Sequence, residues 1–162
     1  MEQYLTFPVN AKVQDRFSEG LLMTLIEEGP KALANPEDIE VRANIMWTAT
    51  LAQNQLIGSG VPQDWTTHMI GHEITGYFGV DHGRTLTIVL PAVMKVRLKQ
   101  KEQKLLQYAE RIFGINEGSV DDRIDAVEWS SKNGHIFKIP FLNIDFQLFP
   151  LVFYNLDMNE LC

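Results

Sequence analysis

The sequence predicts an all-α helical array across residues 10–129, and three observations carry that reading. Apolar residues recur with a 3.6-residue period in successive stretches. Capping residues or Gly/Pro punctuation bound each stretch, and no stretch alternates with the period of two that a half-buried strand needs.

The first helix starts at Asn10 as N-cap. It repeats Val13, Phe17, Leu21 and Leu25 at i, i+4, and Gly29-Pro30 is expected to stop it. A second begins near Pro36, with Glu37 and Asp38 suited to the positive end of a helix dipole. Its predicted apolar face is Ile39, Ala43, Met46, Trp47, Thr50 and Leu51, and Gly58-Ser59-Gly60 breaks it. Asp64 caps a third helix over residues 65–78, ended by Gly79. A fourth begins near His82 and carries Pro91, which is expected to kink or split it. A fifth places Leu105, Ala109 and Ile112 on one face before Gly114, and a sixth spans residues 119–129. The basic run Lys95, Arg97, Lys99, Lys101 and Lys104 has no interleaved aromatics and reads as a solvated helix face or connection.

From residue 131 the helical period vanishes. Five of the nine Phe, namely Phe137, Phe141, Phe146, Phe149 and Phe153, crowd into 17 residues with two prolines. Two readings stand open: one or two short buried strands, or a sequence not selected to fold here, such as an out-of-frame or junction end. The division is therefore residues 1–129 as a helical domain and 130–162 as an aberrant apolar tail, irregular, with a frameshifted end as one of its two readings.

Bulk composition excludes several functions. A net charge of −7, from 14 Lys+Arg and 21 Asp+Glu, argues against nucleic acid or an anionic membrane as partner. One cysteine, Cys162, permits no internal disulfide and fits a reducing compartment. The start MEQYLTFPVN has no signal-peptide pattern, and the longest apolar stretch, 141–154, is shorter than the about 20 residues a spanning helix needs. A cytoplasmic location is the expectation.

Three of the four histidines, His68, His72 and His82, lie within 15 residues. His68 and His72 are four apart on the third helix, so they project from one face. His82 follows the Gly79 turn and can fold back towards them. Converging imidazoles suit a borderline divalent ion such as Zn²⁺ or Fe²⁺. A lone helical His is more often a surface or hydrogen-bonded core residue; two on one face with a third nearby bring the two readings level. His72-Glu73 opens a zinc-protease pattern, but Gly76 stands where the second His is required. The dinucleotide-binding Gly pattern and the nucleophile elbow are absent. Two or three imidazoles leave an ion short of ligands, and Asp64 and Asp81 read better as cap or turn residues.

The segment NIMWTATLAQNQLIGSGVPQDWTTHMIGHEITGYFGVDHGRTLTIVLPAVMK, with its His-x3-His-x9-His block and GxGxPxDW lead-in, resembles the helical half of the iron-containing alcohol dehydrogenases. The nearer likeness is to their bacterial NADPH-dependent butanol dehydrogenase and broad-range aldehyde reductase branch, and it covers residues 1–128. The resemblance implies hydride exchange between NADP(H) and a primary alcohol/aldehyde pair, with one divalent metal, Fe²⁺ or Zn²⁺, polarising the substrate oxygen. By the same resemblance His68 and His82 are metal ligands. His72 is then a catalytic residue near the nicotinamide. The family's remaining ligands lie in a D-x3-H motif on a helix that would run into EQYL, and its nucleotide domain has no counterpart here. The resemblance therefore implies a fragment of an oxidoreductase, inactive in isolation, acting on a small alcohol or aldehyde, with a family-like homodimer possible. The alternative is a non-catalytic remnant with at most weak metal binding.

Overall fold

Why the helices begin and end where they do follows from a few capping groups. The structure, a computed structural model, describes residues 1–132; the first three residues of the expected tail, 130–132, are helical, and the rest of it lies outside the described residues. The elements are α1 (Lys12–Ala34), α2 (Ile39–Gln53), a 3₁₀ turn (Leu56–Gly58), α3 (Thr66–Phe78), α4 (His82–Val96), α5 (Leu98–Phe113) and α6 (Val120–Lys132). No strand occurs among the described residues, as the all-α prediction requires. Asp38 caps α2 by accepting the Glu40 and Val41 N–H groups, each at 3.1 Å. Gly79 and Gly114 end α3 and α5 in the left-handed region, at φ 65° and 67°, where a Cβ would be strained.

Sequential helices pack in pairs, α1 on α2, α3 on α4 and α5 on α6, and α5 also meets α1 and α4. The main core cluster contains Tyr4, Leu5, Leu22, Met94, Leu105, Tyr108, Ala109 and Ile124. Tyr4 and Leu5 belong to a short N-terminal segment that turns back on itself, with the Tyr4 and Leu5 N–H groups donating to the Met1 carbonyl. That segment lies buried rather than trailing from the surface.

Four sequence expectations are corrected. First, α1 runs through Gly29-Pro30 to Ala34. One proline forfeits a single intrahelical bond and sits near the helix end, where Asn35 N–H closes the last turn on the Lys31 carbonyl at 2.8 Å. Second, Pro91 does not split α4, which carries Val89 into the core before it and Val93 and Met94 after it. Third, the predicted apolar faces of α1 and α2 point largely outward. Val13 is 65% exposed, Ile39 81% and Trp47 66%, while α1 buries Ser18, Glu19, Leu22 and Glu28, and α2 buries Val41 and Thr48. In α1 the buried stripe is largely polar, and its glutamates find cationic partners: Glu19 pairs with Arg16 and Arg111, and Glu28 with Lys31.

The fourth correction concerns the basic run. Lys101 and Lys104 are both 2% exposed. Lys101 Nζ lies 2.8 Å from Asp64 Oδ2 and donates to the Leu5 carbonyl at 2.6 Å. Lys104 pairs with Asp15 and sits 4.7 Å from the centre of the Tyr4 ring. Beside it, Glu19 accepts from Tyr4 Oη at 3.1 Å, Arg111 at 2.8 Å and Arg16 at 2.7 Å. Burial works against the Glu19 charge, yet the hydrogen bonds from Arg111, Arg16 and Tyr4 hold its carboxyl below the usual range. A buried charged group persists only when paired in this way. This network fastens the N-terminal segment and α1 to α5, and so fixes where Glu2 sits.

Candidate functional site

Two carboxylates hold the first turn of α3. Asp64 Oδ1 accepts the Thr66 N–H at 3.0 Å and the Thr66 hydroxyl. Burial disfavours its charge, but Lys101 and the Thr66 donors outweigh that and hold its pKa at about 2. Glu2, 7% exposed, reaches the next two free N–H groups: Oε1 accepts from Thr67 N at 2.6 Å and Oε2 from His68 N at 3.2 Å. Negative groups at a helix N-terminus satisfy orphan donors and complement the macrodipole. Glu2 Oε2 also contacts the His68 ring at Nδ1.

The three imidazoles form one cluster. His68 and His72 rise one turn apart from α3, their ring centres 6.4 Å apart. His82, the first residue of α4, returns across the Gly79 turn to stack on His72 at 4.4 Å and 12°. Its ring also meets that of His68 edge-on at 5.5 Å, and Trp65 packs its edge against His68 at 4.9 Å. Gly71 permits the close approach of α3 to α4, because a Cβ there would lie 2.9 Å from Thr85 Oγ1 and 3.1 Å from Leu86 Cδ2. Thr85 is fully buried and donates its hydroxyl to the His82 carbonyl at 2.8 Å, steadying the first turn of α4.

Loss of solvent, with His72 and His68 alongside, lowers the pKa of His82 and favours its neutral, lone-pair-bearing form. His82 Nδ1 is buried and has no hydrogen-bond partner. An orphaned imidazole nitrogen beside two further imidazoles is a donor set suited to a borderline divalent ion. The count falls short, however: no group of three or more His, Cys, Asp or Glu side chains able to hold an ion occurs among the described residues. Asp64 and Asp81 add nothing to it. Asp64 is spent on Thr66 and Lys101, and Asp81 completes no group of three with the histidines.

Comparison with known proteins identifies the scaffold. A family model described as the C-terminal part of the Fe-containing alcohol dehydrogenase family matches residues 1–132. The chain belongs to the iron-containing alcohol dehydrogenase family. It is 61% identical over 133 residues to the NADPH-dependent aldehyde reductase YqhD of Escherichia coli strain K12, covering 82% of this chain and 34% of that protein. It is 34% identical over 131 residues to a probable NADH-dependent butanol dehydrogenase of Bacillus subtilis strain 168, covering 81% and 34% of the two chains. The solved structure of the substrate- and cofactor-free form of the aldehyde reductase YqhD from E. coli superposes with a TM-score of 0.83 at 52% identity, over 99% of this chain and 43% of that one. The chain thus spans about a third of the length of these curated relatives.

The resemblance read from the histidine block therefore names the right family. Glu2 went unnoticed in the sequence. It stands 66 residues before His68, inside a segment with no helical period, and no local pattern links the two.

Proposed function

We propose that residues 1–132 supply the metal-holding, substrate-orienting part of an oxidoreductase that moves hydride between NADP(H) and a primary alcohol/aldehyde pair. The single observation that carries this reading is the convergence of His68, His72 and His82, drawn from two helices onto one patch. Family membership and the names of the relatives support the reaction class. In this reading His68 and His82 are the metal ligands contributed by the described residues, Fe²⁺ or Zn²⁺ being the ions their chemistry suits. Such an ion, when bound, supplies Lewis-acid polarisation of the substrate oxygen.

The chain's own residues do the rest. The surroundings of His82 disfavour its charged form, which suits a ring that offers a lone pair. His72 is exposed and stacked on His82, at the place from which a ring nitrogen can pass a proton between substrate and water. Trp65 closes one side of His68 and limits the ways a small alcohol can approach. The Gly71–Thr85 contact keeps the two histidine-bearing helices at a fixed separation, and positioning of this kind is where much of an enzyme's rate advantage originates.

A second reading, a non-catalytic remnant that binds metal weakly, is favoured by the ligand count among the described residues. Titration with Co²⁺, followed by its visible absorption, separates the alternatives from an unrelated scaffold. The native chain is expected to give a bound spectrum that the His68→Ala/His82→Ala chain loses. An unchanged spectrum in the double variant overturns the metal assignment. Micromolar or tighter binding favours the catalytic reading, and millimolar binding the remnant.

A further inference from the structure

Glu2 stands out because one carboxylate meets three donors on α3. Its Oε1 takes the Thr67 N–H at 2.6 Å, its Oε2 takes the His68 N–H at 3.2 Å, and Oε2 also touches His68 Nδ1. The group is buried, while the His68 side chain keeps 28% of its surface exposed. The carboxylate is thus anchored to the helix backbone on one side and to the ring on the other. A carboxylate oxygen already facing N–H donors accepts, so the ring nitrogen beside it must carry the hydrogen. Nε2 of His68 is then the bare nitrogen.

We infer that Glu2 is the positioning residue of His68: it fixes the Nδ1–H tautomer and the ring orientation, and so presents Nε2 to a divalent ion. The inference rests on the metal reading above only for the identity of what Nε2 meets. The tautomer itself is a property of the metal-free chain. Outer carboxylates of this kind orient imidazole ligands and raise their basicity. The role differs from ordinary capping. A cap needs one acceptor for the Thr67 or His68 N–H, whereas positioning needs an acceptor on the ring as well.

Glu2→Leu removes the ring acceptor at similar size, whereas Glu2→Gln keeps one acceptor. An amide has one oxygen and one NH₂ group, so its oxygen can take either the Thr67 N–H or the two His68 donors. Leucine leaves Nδ1 with no acceptor in any orientation, and hydrogen on Nε2 is then no longer opposed.

The test is long-range ¹H–¹⁵N NMR of the imidazoles at pH 8.5, where an ordinary imidazole is neutral, with His72 and His82 as internal references. In the native chain His68 is expected as the Nδ1–H tautomer, and in Glu2→Leu its population shifts to Nε2–H while the backbone amide spectrum stays folded. Zn²⁺ titration is then expected to perturb His68 Nε2 in the native chain, with an affinity about 10–100-fold weaker in Glu2→Leu. A native His68 with hydrogen on Nε2 overturns the inference without recourse to any variant. So does a folded Glu2→Leu chain with an unchanged tautomer. If the tautomer behaves as expected but His68 and His82 ignore Zn²⁺, the positioning contact is upheld and the metal reading is overturned.

Discussion

Replacing Lys101 with methionine tests the buried charge network that places the site. Met keeps the length and most of the apolar stem but removes the ammonium. Lys101 Nζ serves two buried acceptors, Asp64 Oδ2 at 2.8 Å and the Leu5 carbonyl at 2.6 Å. Asp64 Oδ2 receives no aligned hydrogen bond, so Lys101 answers it as a charge. Removing the cation leaves a carboxylate with 9% of its side-chain surface exposed and no counter-charge. Breaking a buried pair from one side costs about 3–5 kcal/mol, a large part of the ~5–15 kcal/mol that stabilises a typical domain. With a urea slope of ~2 kcal/mol/M, the unfolding midpoint at pH 7 is expected to fall by ~2 M. Adding Asp64→Asn, which keeps an oxygen for the Thr66 cap and removes the stranded charge, should restore at least half of the loss. Equilibrium urea unfolding followed by circular dichroism reads both numbers. A loss below about 1 kcal/mol for Lys101→Met, the range of an exposed pair, would refute the buried-pair account and return Lys101 to the solvated face that the sequence suggests.

Three further outcomes follow from the same contacts. Asp64 has a folded pKa of about 2 against an ordinary 3.8, so its contribution, about 2 kcal/mol, is fully present above pH 4 and is lost as pH falls through 2; acid unfolding of the native chain should show this loss, and Lys101→Met should lack most of it. Gly71→Ala forces Thr85 and Leu86 aside, and is expected to destabilise by about 1–3 kcal/mol while shifting the His72 and His82 ring resonances; unchanged ring resonances would mean that the stack does not depend on that approach. Leu105→Ala, at a fully buried position, should cost about 2–5 kcal/mol, whereas Trp47→Ala should change stability by less than about 0.5 kcal/mol. Equal losses would restore the apolar face that the period assigned to α2.

Much of the fold was legible because its signals are local. Asp38, Gly79 and Gly114 sit at helix ends for reasons that operate within a few residues, and the helices appear there. Which side of α1 or α2 faces inward was not legible. Phe17 and Trp47 carry the apolar signal, but the buried side of α1 is chosen by pairings such as Glu19 with Arg111, 92 residues apart. The burial of Lys101 has the same origin, since its partners Leu5 and Asp64 lie far from it in sequence. The histidine block could be found because His68, His72 and His82 fall within 15 residues and a helix-turn-helix brings them together. Glu2 could not, because nothing in MEQYL marks one residue as the partner of a ring on α3.

The most direct test of the central claim, that this histidine cluster is the metal-holding part of the domain, is crystallographic. Crystals of the chain grown with Zn²⁺ and measured on both sides of the zinc absorption edge locate the ion independently of any activity. The account predicts an anomalous peak about 2.0–2.1 Å from a ring nitrogen of both His68 and His82, with Glu2 still on His68 Nδ1. A map with no peak at these two rings, or with zinc bound only elsewhere on the chain, would contradict it.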